Sequence, residues 1–160
     1  MHHHLEDLSA ILADCVVGGG GVTFMLPFTN ADAQPFWRRV AETAASGRLV
    51  VLGAYVDCVL AGRVQLALVP MPNQPHRAEV TKLLVAPGMR RRGIARKLML
   101  ALEHEAKVRN RSLITLDTVT GDAAESLYAS LGYVKVGVIP GYAMMPAGGL
   151  SATTIFYKQL

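Results

Sequence analysis

The chain has 160 residues, 51% of them apolar, a formal charge of +4 and two cysteines. That length fits one domain over residues 1–160 with a sizeable core, and Asp14, Asp57 or glycines interrupt the longest apolar stretches, which excludes a membrane-spanning helix. Cys15 and Cys58 lack ligand-like spacing and read as two buried thiols in a reducing, cytoplasmic compartment, with no metal site.

Met1-His-His-His4 lacks the apolar core of a signal peptide and reads as a start site or an added remnant. Residues 5–17 follow as an amphipathic helix, with Leu5, Leu8, Ile11, Leu12 and Cys15 near one face. Gly18 to Gly21 end it in a loop. Residues 32–46 form a second helix: Phe36, Val40 and Ala44 recur every four residues and Gly47 supplies the stop. Residues 49–55 and 59–69 read as an antiparallel pair joined near Asp57-Cys58, an unusually apolar turn. A loop with three prolines covers 70–75. Next come a strand at 78–85 and a helix at 93–108 that carries Ile94, Leu98, Ala101 and Leu102 inward. The remainder reads as a buried strand at 112–116, a helix at 123–131, and strands at 133–139 and 151–157. This order predicts an α/β (α+β) fold: a mixed sheet with helices on both faces.

Residues 83–98 run from strand through a basic, glycine-bearing loop into a helix. Such a junction aims unpaired N–H groups and the positive end of the helix dipole at one point, as a phosphate cradle does. Arg90, Arg91 and Arg92 add cations, and Gly93 lets an anion approach without a Cβ in the way. Six basic residues lie between Lys82 and Lys97, with no aromatic among them to stack bases. A compact polyphosphate suits this pattern better than nucleic acid. Gly88 and Gly93 have P-loop spacing, but Ile94-Ala95 stand where Lys-Ser/Thr is required. No Gly-x-Gly precedes the helix, so a dinucleotide fingerprint fails too.

Arg90-x-x-Gly93-x-Ala95 resembles the Q/R-x-x-G-x-G/A signature of the GNAT superfamily of acetyl-CoA-dependent N-acetyltransferases. The segment Ala123-Ala-Glu-Ser-Leu-Tyr-Ala-Ser-Leu-Gly-Tyr133 is similar to the family's second signature, A-x-x-L-Y-x-x-x-G-F/Y. The order of elements is also the family's, from its first helix onward. Within the superfamily, Gln74–Val80, Leu116-Asp-Thr118 and Ile139-Pro-Gly-Tyr142 look like segments of the tabtoxin-resistance type.

The resemblance implies a mixed, mostly antiparallel sheet and acetyl-CoA as cosubstrate, with no metal. Its pyrophosphate would lie on Arg90, Arg91, Arg92, Gly93, Ile94, Ala95 and Arg96. A backbone N–H at Leu84 or Val85, beside a bulge that splays two strands, would meet the thioester carbonyl. The implied acceptor is a primary amine of a small molecule, such as an amino-acid-like toxin or antibiotic. A protein lysine or N-terminus is the alternative acceptor, and a silent CoA-binding module the alternative role. Neither nucleic acid nor membrane is an expected partner, and the chain is expected as a monomer or homodimer. Two features depart from the family: its first strand is missing before Leu5, exposing a sheet edge, and Gly121 stands where many members carry an Asn that bonds the pantetheine arm.

Three residues are candidates for proton transfer. Glu79, near the start of the strand leading to the cradle, can accept the proton of a substrate ammonium, or else it is a solvent-facing partner of Arg77 or Lys82. The resemblance favours the first reading, because tabtoxin-resistance enzymes carry a carboxylate there. Asp117 follows the 112–116 strand at its carboxyl end, where ligands of open α/β sheets gather. It either holds the ammonium, shares the base role, or caps the following loop. Tyr128 matches the family tyrosine that protonates the leaving thiolate, and its alternative is packing beside Leu127 and Leu131. His76 reads as an exposed loop histidine. Tyr142, Met144 and Met145 either roof the acceptor pocket or pack an ordinary loop.

Overall fold

The computed structural model describes residues 2–160, and side chains from Leu5 onward, so the reading of Met1–His4 lies outside the described side chains. Helix α1 spans His2–Val17 and α2 spans Asn30–Ala45. Helix α2 begins two residues before the expected 32 because Thr29 caps it. The Thr29 hydroxyl accepts the Asp32 N–H while the Asp32 carboxylate takes the Thr29 N–H at 2.8 Å, a reciprocal capping box.

Strands β1 (Leu49–Val56) and β2 (Val59–Leu68) pair antiparallel across the Asp57-Cys58 turn. Both turn residues have positive φ, 49° and 63°, the geometry that matches strand twist in a two-residue hairpin. The turn projects Cys58 outward, so only Cys15 is a buried thiol, in place of the expected two. After β3 (Arg77–Val85) the chain makes a short 3-10 turn, Pro87–Met89, and enters α3 (Ile94–Val108). Strand β4 (Leu113–Val119), α4 (Ala123–Ser130), β5 (Val134–Met144) and β6 (Leu150–Gln159) complete the order.

The sheet runs β1-β2-β3-β4-β6-β5, and every neighbouring pair is antiparallel except β3 with β4. Strand β4 exceeds its expected end by three residues, because Asp117, Thr118 and Val119 keep pairing with Ile155, Thr154 and Thr153 of β6. Strand β5 resumes pairing at Ala143 after a register break between Ile139 and Ala143, which places Tyr142 and Met144 in a strand where a loop was expected.

Two apolar cores flank the sheet. Ile94, Leu98, Met99, Leu102 and Ala106 of α3 bury against Val64, Leu66, Ala78, Val80, Ile114 and Leu116. Ala101, expected inward, is exposed, and Met99 is buried instead, because the inward face centres on Leu102, with Met99 three residues before it and Ala106 four after, and Ala101 falls at its edge. On the opposite face Leu12, Cys15 and Val16 of α1 meet Ala33 and Trp37 of α2, with Leu60 and Leu84 beneath. Helices on both faces are therefore present as expected.

An ion pair ties α3 to β6. Lys158 Nζ lies 2.7 Å from Glu103 Oε2 and donates to the Leu131 carbonyl at 2.8 Å. Both side chains are largely buried, so removing one leaves the other charge uncompensated. Lys158→Met is expected to destabilise the fold by about 3 kcal/mol, a fall of ~10 °C in Tm for a chain of this size. Thermal unfolding followed by circular dichroism measures it, and an unchanged Tm would show the pair to be energetically neutral.

Candidate active site

Parallel pairing between β3 and β4 covers only Arg77↔Leu113, Ala78↔Ile114 and Glu79↔Thr115. Beyond those pairs the two strands diverge and a cleft of about 550 Å³ opens between them. Its walls are residues 80–85 of β3 and Asp117, Thr118 and Val119 of β4, with Gly18–Thr23 and Tyr142–Met144 at the rim. The register of β2 with β3 passes from Arg63↔Leu84 to Gln65↔Thr81, so β3 carries one extra residue there. This bulge lies at Lys82, whose φ is 51°. It reverses the alternation: Ala78 and Val80 enter the α3 core, whereas Leu84 enters the core beneath α1. Leu84 and Val85 line the cleft, but they keep register with Arg63 and Gly62; the bulge precedes them. Backbone N–H groups of 80–85 that point toward β4 have no strand opposite them.

A second cavity, about 410 Å³, adjoins the first and lies at the start of α3. Leu83, Val85, Arg90, Ala123 and Ala124 line both. Arg91, Gly93, Ile94, Ala95 and Arg96 line the second alone. Gly93 is the N-cap of α3 with φ 75°, and a Cβ built on it would meet nothing within 4 Å. The first four N–H groups of a helix have no intrahelical acceptor, and here they border open space. The arginines differ in role. Arg90 folds back, donating to the Val85 carbonyl at 3.4 Å and reaching Cys15 Sγ at 3.9 Å. Arg91 is exposed, Arg92 leans on Met89 Sδ at 3.0 Å and does not line either cavity, and Arg96 donates to Ser130 Oγ at 2.6 Å.

Tyr128 and Asp117 meet in the first cleft. Tyr128 is buried, its ring 5.8 Å from those of Tyr133 and Phe156. Burial, and then the charges of Asp122 and Asp117, hold its phenol far above the ordinary tyrosine range, so it stays protonated and able to donate. Asp117 is exposed within β4, not at the strand end, and its Oδ2 lies 2.9 Å from the Thr153 hydroxyl. That hydroxyl is also 2.9 Å from the Thr118 carbonyl, so its one proton serves one acceptor at a time.

Glu79 is not brought into the cleft lining. It is exposed and pairs with Arg77 at 3.4 Å, while Arg77 also donates to Thr115 Oγ1 at 3.0 Å. Strand alternation nevertheless puts Glu79 on the same sheet face as Asp117, because Ala78, Val80, Ile114 and Leu116 all face the α3 core. His76 is exposed, also outside both cavities.

Lys82 is a cleft residue that sequence reasoning missed as part of the site. Its ammonium donates to Thr23 Oγ1 at 2.9 Å and lies 5.9 Å from the Phe24 and Phe36 rings. Burial, and then the positive charge of Arg63, lower its pKa, with Asp117 opposing. Thr153 and Cys15 were missed as well. A bulge leaves no mark in the string Thr-Lys-Leu, so only the lysine's nearness to the cradle hinted at its place.

A sequence profile of the acetyltransferase (GNAT) family matches residues 20–133. An uncharacterised N-acetyltransferase of Azospirillum brasilense, from the hisH–hisA intergenic region, is 33% identical over 115 residues, covering 71% of this chain and 67% of that protein. Among solved structures, ribosomal-protein-alanine N-acetyltransferase of Brucella melitensis superimposes with a TM-score of 0.83 at 23% identity, covering 100% of this chain and 96% of that one. An N-acetyltransferase of Staphylococcus aureus Mu50 gives 0.85 at 17% identity, covering 99% and 94%. The yncA protein of Salmonella typhimurium, solved with its cofactor acetyl-CoA, gives 0.81 at 18% identity, covering 100% and 90%. These likenesses establish a shared fold.

Proposed function

Because this chain belongs to the acetyltransferase (GNAT) family, we propose that it transfers the acetyl group of acetyl-CoA to the primary amine of a small molecule. An amino-acid-like toxin or antibiotic, the class handled by tabtoxin-resistance enzymes, is the acceptor this reading favours. The observation that carries it is the early end of β3–β4 pairing, which opens a cleft continuous with the cavity at the α3 N-terminus. One end suits phosphates and the other suits a cationic amine.

The residues fit acetyl-CoA. The N–H groups at Gly93, Ile94, Ala95 and Arg96 and the guanidiniums of Arg90 and Arg91 would hold its phosphates, with Arg92 outside the cavity lining. Backbone N–H groups of 80–85 facing the gap, including the stretch at Leu84 and Val85, would donate to the thioester oxygen, a contribution of about 3 kcal/mol per well-placed donor. When bound, acetyl-CoA supplies an acyl carbon open to amine attack. Asp117, at the acceptor end, takes the proton of the incoming ammonium. Glu79, on the same face but outside the cleft lining and paired with Arg77, adds to the negative field that attracts the ammonium. Tyr128 donates to the departing sulfur. A free cysteine thiol has a pKa of about 8.5 against about 10 for an ordinary tyrosine, and burial widens that gap. The phenol therefore acts as a hydrogen-bond donor until late in thiolate departure.

A thiol-release assay with acetyl-CoA tests the reading against amino acids, other small amines, and lysine or N-terminal peptides. Turnover with peptides alone would move the acceptor to protein. CoA binding without turnover of any amine would leave a binding module. Tyr128→Phe removes one oxygen and keeps the ring, so acyl transfer should slow about 10²-fold while CoA affinity holds. The deficit should shrink with a thioester whose leaving thiol is more acidic. Equal losses on two thioesters of different thiol pKa would count against the donor role.

A further inference from the structure

The face of β2 beneath α2 collects buried donors that have no acceptors. Arg63 has no exposed surface, and its Nε and both terminal nitrogens lack a hydrogen-bond partner in the protein. Its guanidinium stacks 4.0 Å from the Trp37 ring centroid. The Trp37 indole nitrogen and the Gln65 amide nitrogen are likewise buried and unpaired. Gln65 is fixed by its oxygen, which accepts from the Thr81 hydroxyl at 3.0 Å. Burial lowers the Arg63 pKa to about 9, which still leaves it cationic at neutral pH. Among the described residues no carboxylate forms an ion pair with it. A buried cation with neither counter-charge nor acceptor is costly, and every orphan here is a donor. What this group lacks is negative charge.

Lys82 connects this group to the cleft. It lines the cleft wall, its hydrogen-bond acceptor is the uncharged Thr23 hydroxyl, and its ammonium feels both Arg63 and Asp117. The acceptor end of the cleft is thus polarised, with cations on the β2–β3 side and a carboxylate on the β4 side. A neutral amine or a polyamine would gain nothing from the cationic side. A molecule bearing an ammonium and a carboxylate close together matches both.

We infer that Lys82, with the buried charge of Arg63 behind it, forms a carboxylate subsite, so that the acceptor is an α-amino acid or a close analogue. Lys82 contacts the carboxylate from the cleft wall. Arg63 lies behind it, outside the cavity lining, and acts through its unneutralised charge, which the buried Trp37 and Gln65 nitrogens beside it do nothing to offset. The acceptor ammonium then faces Asp117. The inference rests on the acetyl-transfer reading above, and its test separates the two.

With CoA present, calorimetry on the wild-type protein would compare a panel of N-acetyl-α-amino acids with their carboxamides. In parallel, thiol release from acetyl-CoA would compare the free amino acids with their amides. The acids are expected to bind about tenfold or more tightly than the amides, and to be the better acceptors by a similar factor. Lys82→Met should bring acid and amide to near parity, and Arg63→Met should do the same. Should Arg63→Met fail to fold, Lys82→Met on the cleft wall decides alone. Equal binding of acid and amide in the wild type overturns the subsite, as does a preference that survives Lys82→Met, or no binding by any probe. Acids that bind preferentially while no amine releases thiol would leave the subsite standing and remove the acetyl-transfer reading. Amines acetylated without regard to the carboxylate would do the reverse.

Discussion

A Gly93→Asp variant is expected to fold and to lose CoA binding by about 10³-fold. Aspartate is one of the few non-glycine residues that tolerate the left-handed region, which the φ of 75° requires. The added Cβ meets nothing within 4 Å in the free protein, so packing offers no objection. The carboxylate would stand where the α3 N–H groups and the basic loop are proposed to receive phosphate. Two like charges about 4 Å apart near a protein surface repel by about 4 kcal/mol, which converts to ~10³ in affinity. Calorimetry with CoA, alongside Tm as a fold control, measures the loss. A folded variant with wild-type affinity would remove the cradle from the loop. Gly93→Ala, lacking the charge, should lose far less.

Asp117→Asn is expected to lower kcat/KM by about 10² to 10³-fold with CoA affinity unchanged. Asparagine preserves the shape and can still accept from the Thr153 hydroxyl, now 2.9 Å from Oδ2, but it cannot take a proton from an ammonium. Glu79→Gln should cost much less, since Glu79 lies outside the cleft lining and already pairs with Arg77. The opposite ranking, with Glu79→Gln inactive and Asp117→Asn active, would exchange the two roles.

Most of the fold was legible because its cues are local. Gly93 and the arginines before it are contiguous, so one stretch of chain displays loop, charge and helix start together. The apolar spacing of Ile94, Leu98 and Leu102 announced the α3 face, although it misplaced Ala101. What stayed hidden depends on partners distant in sequence. Asp117 looks like a strand end because aspartate disfavours strands, yet β6 pairs with it and with the two residues beyond. Pro140-Gly141 looks like a loop, yet β6 recaptures Ala143 and Met144. Cys58 reads as buried by residue type, and only the turn geometry exposes it. Arg63 is the converse: a charged strand residue reads as solvent-facing, and nothing in the local sequence says that Trp37 will lie over it.

The three residue pairs between β3 and β4 have a mechanical consequence. Strands β1, β2 and β3 form one laddered panel, β4, β6 and β5 another, and the main-chain seam between the panels is short. A cosubstrate lying in the gap would be a keystone as well as a reactant, bridging panels that the backbone barely joins. Cohesion would then follow the cosubstrate supply: at a concentration 100 times its Kd, binding adds about 2.7 kcal/mol to the folded state. When the supply falls, the seam between β3 and β4 is where main-chain pairing would resist opening least.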